Sequence, residues 1–295
     1  MEFPLWAVFG LTSASLSAIF MLIQERLKVN GFAMAFWNKV GCALFTMPAA
    51  FYFGFPDNGM FYAIMFAAAL LWVVSDVYFF EAIPKVGAGT VSRVLPVSII
   101  LSFFLWFLFD HALLQKYLSE PVKSVGVIAT LFASVYFATR LRHCAVSWRA
   151  IRLLWFVIVA SVAGPILMKL ITQQSPVSQG PFAFVFCEAL FMVACWVLWY
   201  FIRKPVPREV LFSKEAAKGG ILVGAISGLM VASNFAAIHF VDNPALVPAV
   251  KFTDSIIILM FYRATGRKED SDLIAGFGII ACAAAIIILK SMPAG

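Results

Sequence analysis

Apolar residues follow one another along most of this chain in runs of roughly twenty, with no alternation of period two and with polar residues gathered between the runs. A helix of about 20 residues crosses a hydrocarbon core of about 30 Å. In lipid a backbone satisfies its own hydrogen bonds only as a helix or a closed barrel, and the missing alternation argues against the barrel. Ten spans are expected, near residues 3–24, 32–53, 60–82, 87–109, 121–138, 151–172, 182–202, 217–240, 245–262 and 273–289. The pattern therefore predicts an all-α integral membrane protein with ten transmembrane helices and short connections. The first run lacks a basic leader and a small-residue cleavage site, so it is expected to be a retained span.

Laying the second half of the chain over the first aligns polar residues as well as apolar ones. Leu5-Trp6 falls on Leu154-Trp155, Gly31 on Gly180 and Lys39 on Glu188. At a slightly different offset Ser75-Asp76 falls on Ser233-Asn234 and Arg93 on Lys251. Residues 1–147 and 148–295 are thus expected to form two five-helix repeats. Five is odd, so the second copy enters the membrane from the other side, and inverted repeats are an architecture of secondary transporters.

This repeat, the run Tyr78-Phe-Phe-Glu-Ala-Ile leading through Gly87-Ala-Gly, and Pro96 at the tenth residue of the expected fourth span resemble the drug/metabolite transporter superfamily in its ten-helix EamA-like branch. The resemblance covers nearly the whole chain. It implies alternating access around a central cavity, and termini inside the cell. Arg93 and Lys251 depart from it, since that branch usually has small or apolar residues there. Basic residues near these positions are more similar to the sugar-phosphate translocators of the same superfamily.

Composition sharpens the picture. Of 295 residues 63% are hydrophobic and 13% charged, with mean hydropathy +0.95, whereas a soluble chain carries about 25% charged residues. No soluble catalytic or nucleic-acid-binding domain fits in what remains. The five cysteines show no CxxC spacing and read as small packing residues. The net charge of +7 is unevenly placed: fifteen of the 22 Lys and Arg fall in odd-numbered connections, and only Lys116, Lys123 and Lys290 in even-numbered connections or termini. The positive-inside rule puts the odd connections in the cytoplasm and both termini outside, against the family expectation. The surplus charge then faces anionic lipid headgroups and calls for no nucleic acid. A multi-pass protein of a bacterial inner membrane or plasma membrane is expected, as a monomer or homodimer.

Ionisable residues inside spans cost about 2.5–3.5 kcal/mol each on insertion scales and mark function by default. At about 1.5 Å per residue, Lys39, Asp76 and Arg93 reach a similar depth, roughly 10 Å from the odd-connection side. Glu188, Asn234 and Lys251 hold the mirrored depth, with Asp254 one turn beyond Lys251 toward the centre. Trp72 and Tyr78 are candidates for stacking on a ligand, and His239 is a candidate for the cavity wall. A basic end and an acidic end suit a zwitterion such as an amino acid. The alternative is an anionic or phosphorylated metabolite held by Lys39, Arg93 and Lys251. Asp76 and Asp254 are the candidates for coupling to H+. Lys169, near the end of its span, is expected to snorkel to the interface. Ion pairs such as Asp76 with Arg93 and Glu188 with Lys251, serving only to hold helices together, are the structural alternative. The three scattered histidines give no metal-ligand spacing. Neither a nucleotide-binding loop nor a nucleophile with its base is visible, so no enzyme activity, metal or cofactor is expected. The expected function is secondary transport of a small polar metabolite; a flippase for a lipid-linked headgroup and a non-transporting scaffold are the rivals.

Overall fold

A computed structural model describes residues 4–27, 29–86, 96–141, 148–266 and 272–291. Thirteen helices account for its secondary structure: α1 (Leu5–Arg26), α2 (Gly31–Phe53), α3 (Gly59–Val86), α4 (Val97–Trp106), α5 (His111–Ser119), α6 (Pro121–Arg140), α7 (Trp148–Thr172), α8 (Gly180–Arg203), α9 (Arg208–Leu211), α10 (Lys214–Phe240), α11 (Leu246–Lys251), α12 (Thr253–Ala264) and α13 (Leu273–Ser291). No strand occurs among the described residues. Among the described residues seven helices, α1, α3, α6, α7, α8, α10 and α13, are long and apolar enough to cross a bilayer. The chain is therefore a multi-pass, all-helical membrane protein.

Local chemistry sets the helix ends. The side chains of Asn30, Asp110 and Ser213 accept from backbone N–H groups in the first turns of α2, α5 and α10, as N-cap residues do. Asp272 does the same for α13, accepting from Ile274 and Ala275. Pro121 and Pro181 open α6 and α8 where no intrahelical N–H is needed. The C-cap of α8, Lys204, adopts the left-handed conformation at φ 44°.

Three expected spans are modified. The helix of the second, α2, has 23 residues but carries Asn38 and Lys39 in its interior, which lower its hydropathy. It is a central helix, packed against α3, α8 and α10. The fourth emerges as the ten-residue α4, whose axis turns by 98° into α5; the first part of that span lies outside the described residues. The ninth is interrupted at Phe252, where ψ of −15° separates α11 from α12.

Neighbouring helices alternate in direction, so the bundle has two faces. On one, Phe20 of α1 meets Phe80 of α3, Arg26 lies over Phe261 of α12, and Phe32 of α2 meets Trp199 of α8. This face also carries Arg203, Lys204, Lys214 and Lys218 and is called the basic face below. On the opposite face Phe9 stacks on Phe240, Phe53 on Phe182, and Lys290 meets Asp242. Apolar packing differs between the two. Toward the opposite face one continuous buried cluster runs from Trp6 and Phe61 through Phe103, Phe184 and Phe235 to Ile286. Toward the basic face the described residues form separate clusters: one around Phe32, Val73 and Trp196, one around Leu141, Ile256 and Ile279, and a small one around Ala18 and Tyr262.

α2 and α10 pack backbone against backbone. A Cβ on Gly224 would lie 2.2 Å from the Asn38 carbonyl oxygen and 2.8 Å from Gly41 Cα, and one on Gly41 would lie 2.6 Å from the Ile221 carbonyl oxygen. Two facing glycines thus let the backbones touch.

Candidate functional site

A cavity of about 400 Å³ opens between the two halves of the chain. Its polar lining includes Lys39, Asp76, Glu188, Asn234, Lys251 and Asp254. Trp72, Phe184 and Phe252 belong to the apolar wall, with Ser17, Ser75 and Ser161 between.

The central feature is an ion triad. Lys39 Nζ donates to both carboxylate oxygens of Glu188, at 2.6 and 2.9 Å, and lies 3.8 Å from Asp76 Oδ2. Helix geometry explains the meeting. Lys39 and Glu188 each sit eight residues into α2 and α8, which start on opposite faces. Eight residues rise about 12 Å of the roughly 35 Å length of either helix, so the Cα atoms differ in depth by about 10 Å, a gap that two long side chains close. Lys39 and Glu188 side chains are 9% and 3% exposed, whereas Asp76 is 27% exposed and faces the cavity. A buried charge without its partner is strongly unfavourable, so Lys39 and Glu188 are committed to each other.

The second group belongs to α11 and α12. Asp254 accepts from Ser17 of α1 at 2.9 Å and from Ser255 at 3.1 Å. Lys251 differs: the one hydrogen bond its ammonium makes among the described residues goes to Met230 Sδ, at 3.9 Å. Asn234 donates to Met168 Sδ at 3.2 Å. Neither sulfur is a strong acceptor.

Several expectations need correction. Glu188 pairs with Lys39, across the halves, and not with Lys251. Tyr78 matches the site in depth but not in direction; it is 40% exposed on the outside of the bundle beside Phe156. His239 lies outside the cavity lining, its ring packed edge-on against Phe240. Lys169 does not snorkel. Its ammonium donates to the carbonyl oxygens of Ile238, His239 and Val241, at 3.0, 3.1 and 2.6 Å, closing the C-terminal end of α10. Arg93 lies outside the described residues, so the expected pair with Asp76 does too. Ser17, which sequence reading passed over, is tied to the site; a serine one small side chain among many in α1 gives no signal until α12 is placed beside it. Among the described residues no group of His, Cys, Asp and Glu is arranged to hold a metal ion.

No family model matches the chain, and no curated protein matches it. Solved structures do: one, described only as "Crystal structure of protein", superposes with a TM-score of 0.68 over 98% of this chain and 99% of its own length, at 12% identity. At that identity the likeness is one of fold alone.

Proposed function

We propose that the chain is a secondary transporter that moves a small zwitterionic metabolite, an amino acid or a similar compound, by alternating access. The observation that carries this reading is what the Lys39–Glu188 pair leaves over. With Lys39 bound by Glu188, the cavity presents Lys251, whose ammonium among the described residues hydrogen-bonds only to a sulfur and has Asp254 as a charged neighbour, and Asp76, whose carboxylate is partly open to the cavity. Lys251 with Asp254 on one half of the chain and Asp76 on the other set a cation and carboxylates around one space, which suits a ligand carrying both charges. The apolar wall favours a ligand with a hydrocarbon or aromatic side chain.

The uneven packing supports alternating access: apolar contacts are continuous toward one face and divided toward the other among the described residues. In this reading α2, α4 and the α11–α12 pair complete ten spans, and the two halves are inverted repeats. Helix packing is compatible with that symmetry, for α3 lies against α7 as α10 lies against α1, while α2 meets α8 and α6 meets α13. We assign the chain on these grounds to the drug/metabolite transporter superfamily, EamA-like, with the basic face cytoplasmic by the positive-inside rule. Asp254 is the candidate proton carrier, being inside the cavity and held by two hydroxyl donors.

The test is thermal stability of purified protein with amino acids, organophosphates, carboxylates and quaternary amines, in the wild type and in Lys251→Gln and Asp76→Asn. A ligand at about 100 times its Kd stabilises by about 2.7 kcal/mol. Stabilisation by a zwitterion, lost in both variants, is the expected result. Stabilisation by a phosphorylated compound, lost only in Lys251→Gln, would replace the zwitterion by an anion. Indifference to every soluble ligand would sink the reading in favour of a lipid-linked substrate or a scaffold.

A further inference from the structure

A second polar concavity, of about 100 Å³, lies on the opposite face, away from the cavity just described. Its walls come from α5, the N-terminal turn of α6, the α10–α11 connection and the end of α13, and include Lys116, Lys123, Lys290, Tyr117, Glu120 and Asp242. We infer that this concavity binds the phosphate of an anionic phospholipid headgroup.

Four observations converge. First, the sequence supplies only three lysines and no arginine to the even-numbered connections and termini, and the fold brings all three together here, from segments up to 174 residues apart. Second, the carboxylates present organise the lysines without cancelling them. Glu120 lies 3.6 Å from Lys123 and Asp242 lies 3.2 Å from Lys290, so three positive and two negative groups leave one positive charge over. Lys290 is further fixed above the Tyr117 ring, 5.3 Å from its centroid. Third, the hydroxyl of Tyr117 is buried and has no hydrogen-bond partner among the described residues. A buried donor left unmade is unfavourable, and a phosphate oxygen beside Lys290 would be an acceptor for it. Fourth, the neighbouring residues Leu118, Val122 and Val125 are 66%, 87% and 65% exposed. Apolar side chains so exposed on a membrane protein face acyl chains, which places the basic concavity at headgroup height. This last observation favours a lipid phosphate over a free one. Basic pockets between membrane helices hold anionic headgroups by the same combination of charge and depth.

The test uses the full-length protein in nanodiscs of phosphatidylcholine, alone or with phosphatidylglycerol, and in detergent with or without inorganic phosphate. Thermal stability is read for the wild type and for Lys116→Gln, Lys290→Gln and Tyr117→Phe. Lys116 is an exposed surface residue and Tyr117→Phe removes no protein hydrogen bond, so both variants are expected to fold in phosphatidylcholine as the wild type does. The expected result is a higher unfolding temperature of the wild type with phosphatidylglycerol, and loss of most of that increment in all three variants. Loss of one charge-assisted hydrogen bond corresponds to about tenfold weaker lipid binding. An increment from inorganic phosphate in detergent, lost in the same variants, would uphold the phosphate site while identifying a soluble source. An equal response to both lipids, or an increment that survives all three substitutions, would overturn the proposal.

Discussion

At the residue scale the charged groups of this chain divide by the company they keep. Lys39 and Lys169 resemble each other in sequence as lone cations in apolar helices, yet one is bound by a carboxylate and the other by three backbone carbonyls. Both are spent on structure, and among the described residues Lys251 is the lining cation without a bonded carboxylate. Asp242 shows the same principle outside the spans. Burial pushes its carboxyl up, but the ammonium of Lys290, with Lys116 and Lys169 further off, more than offsets this and holds the group below its usual value. A depressed folded value means that its contribution to stability is present above the unfolded pKa of about 3.9 and is lost as pH falls through the lower folded value. Because the side chain is half exposed, the contribution is small, on the order of a few tenths of a kcal/mol. Wild type should therefore be slightly more stable than Asp242→Asn at pH 7 and lose the difference below about pH 4. Thermal unfolding at both pH values checks this; a gap that widens toward acid would contradict the assignment.

At the element scale the α2–α10 contact is the part of the fold least able to accept added volume. Gly224→Ala places a methyl group against the Asn38 carbonyl, where backbone and not a flexible side chain must yield. Overpacking of this kind costs about 1–3 kcal/mol. Gly59→Ala, at the start of α3, meets nothing within 4 Å and serves as the control. Unfolding midpoints should fall for the first and not for the second. The helices themselves were largely legible, since the length of an apolar run and the residues Asn30, Ser213 and Asp272 at its edges act locally. What stayed hidden depends on direction around the helix axis. A membrane helix is apolar on nearly every side, so periodicity no longer tells an inward face from an outward one. Asp76, Glu188 and Asp254 line the cavity, though Glu188 belongs with Lys39 and not with the Lys251 group to which depth assigned it, while Tyr78, two residues from Asp76 and six from Trp72 in the same run, points out of the bundle. The 98° turn after α4 escaped for another reason: Asp110 is a visible cap, but α5 is a nine-residue helix too short and too mixed in polarity to interrupt the pattern.

At the scale of the whole molecule, the division of apolar packing toward the basic face among the described residues predicts, under the proposed alternating access, the side from which the cavity is reached. Ser161, on α7 in the cavity wall, offers a probe. In a background with the five native cysteines replaced, Ser161→Cys should react with an impermeant maleimide supplied on the basic face and stay protected from the opposite face. Right-side-out and inverted vesicles separate the two, and labelling from the opposite face alone would reverse the proposed opening. The pair Lys39–Glu188 has a consequence for synthesis as well. Its members are 149 residues apart, so at about 5–20 residues per second roughly 7–30 s pass between the emergence of the lysine and that of the glutamate. During that interval Asp76 of α3 is the one acid of the triad already made, and Lys39 lacks its closer partner. The two-hydrogen-bond pairing that buries the Lys39 ammonium thus depends on the second half of the chain, and is completed only with α8.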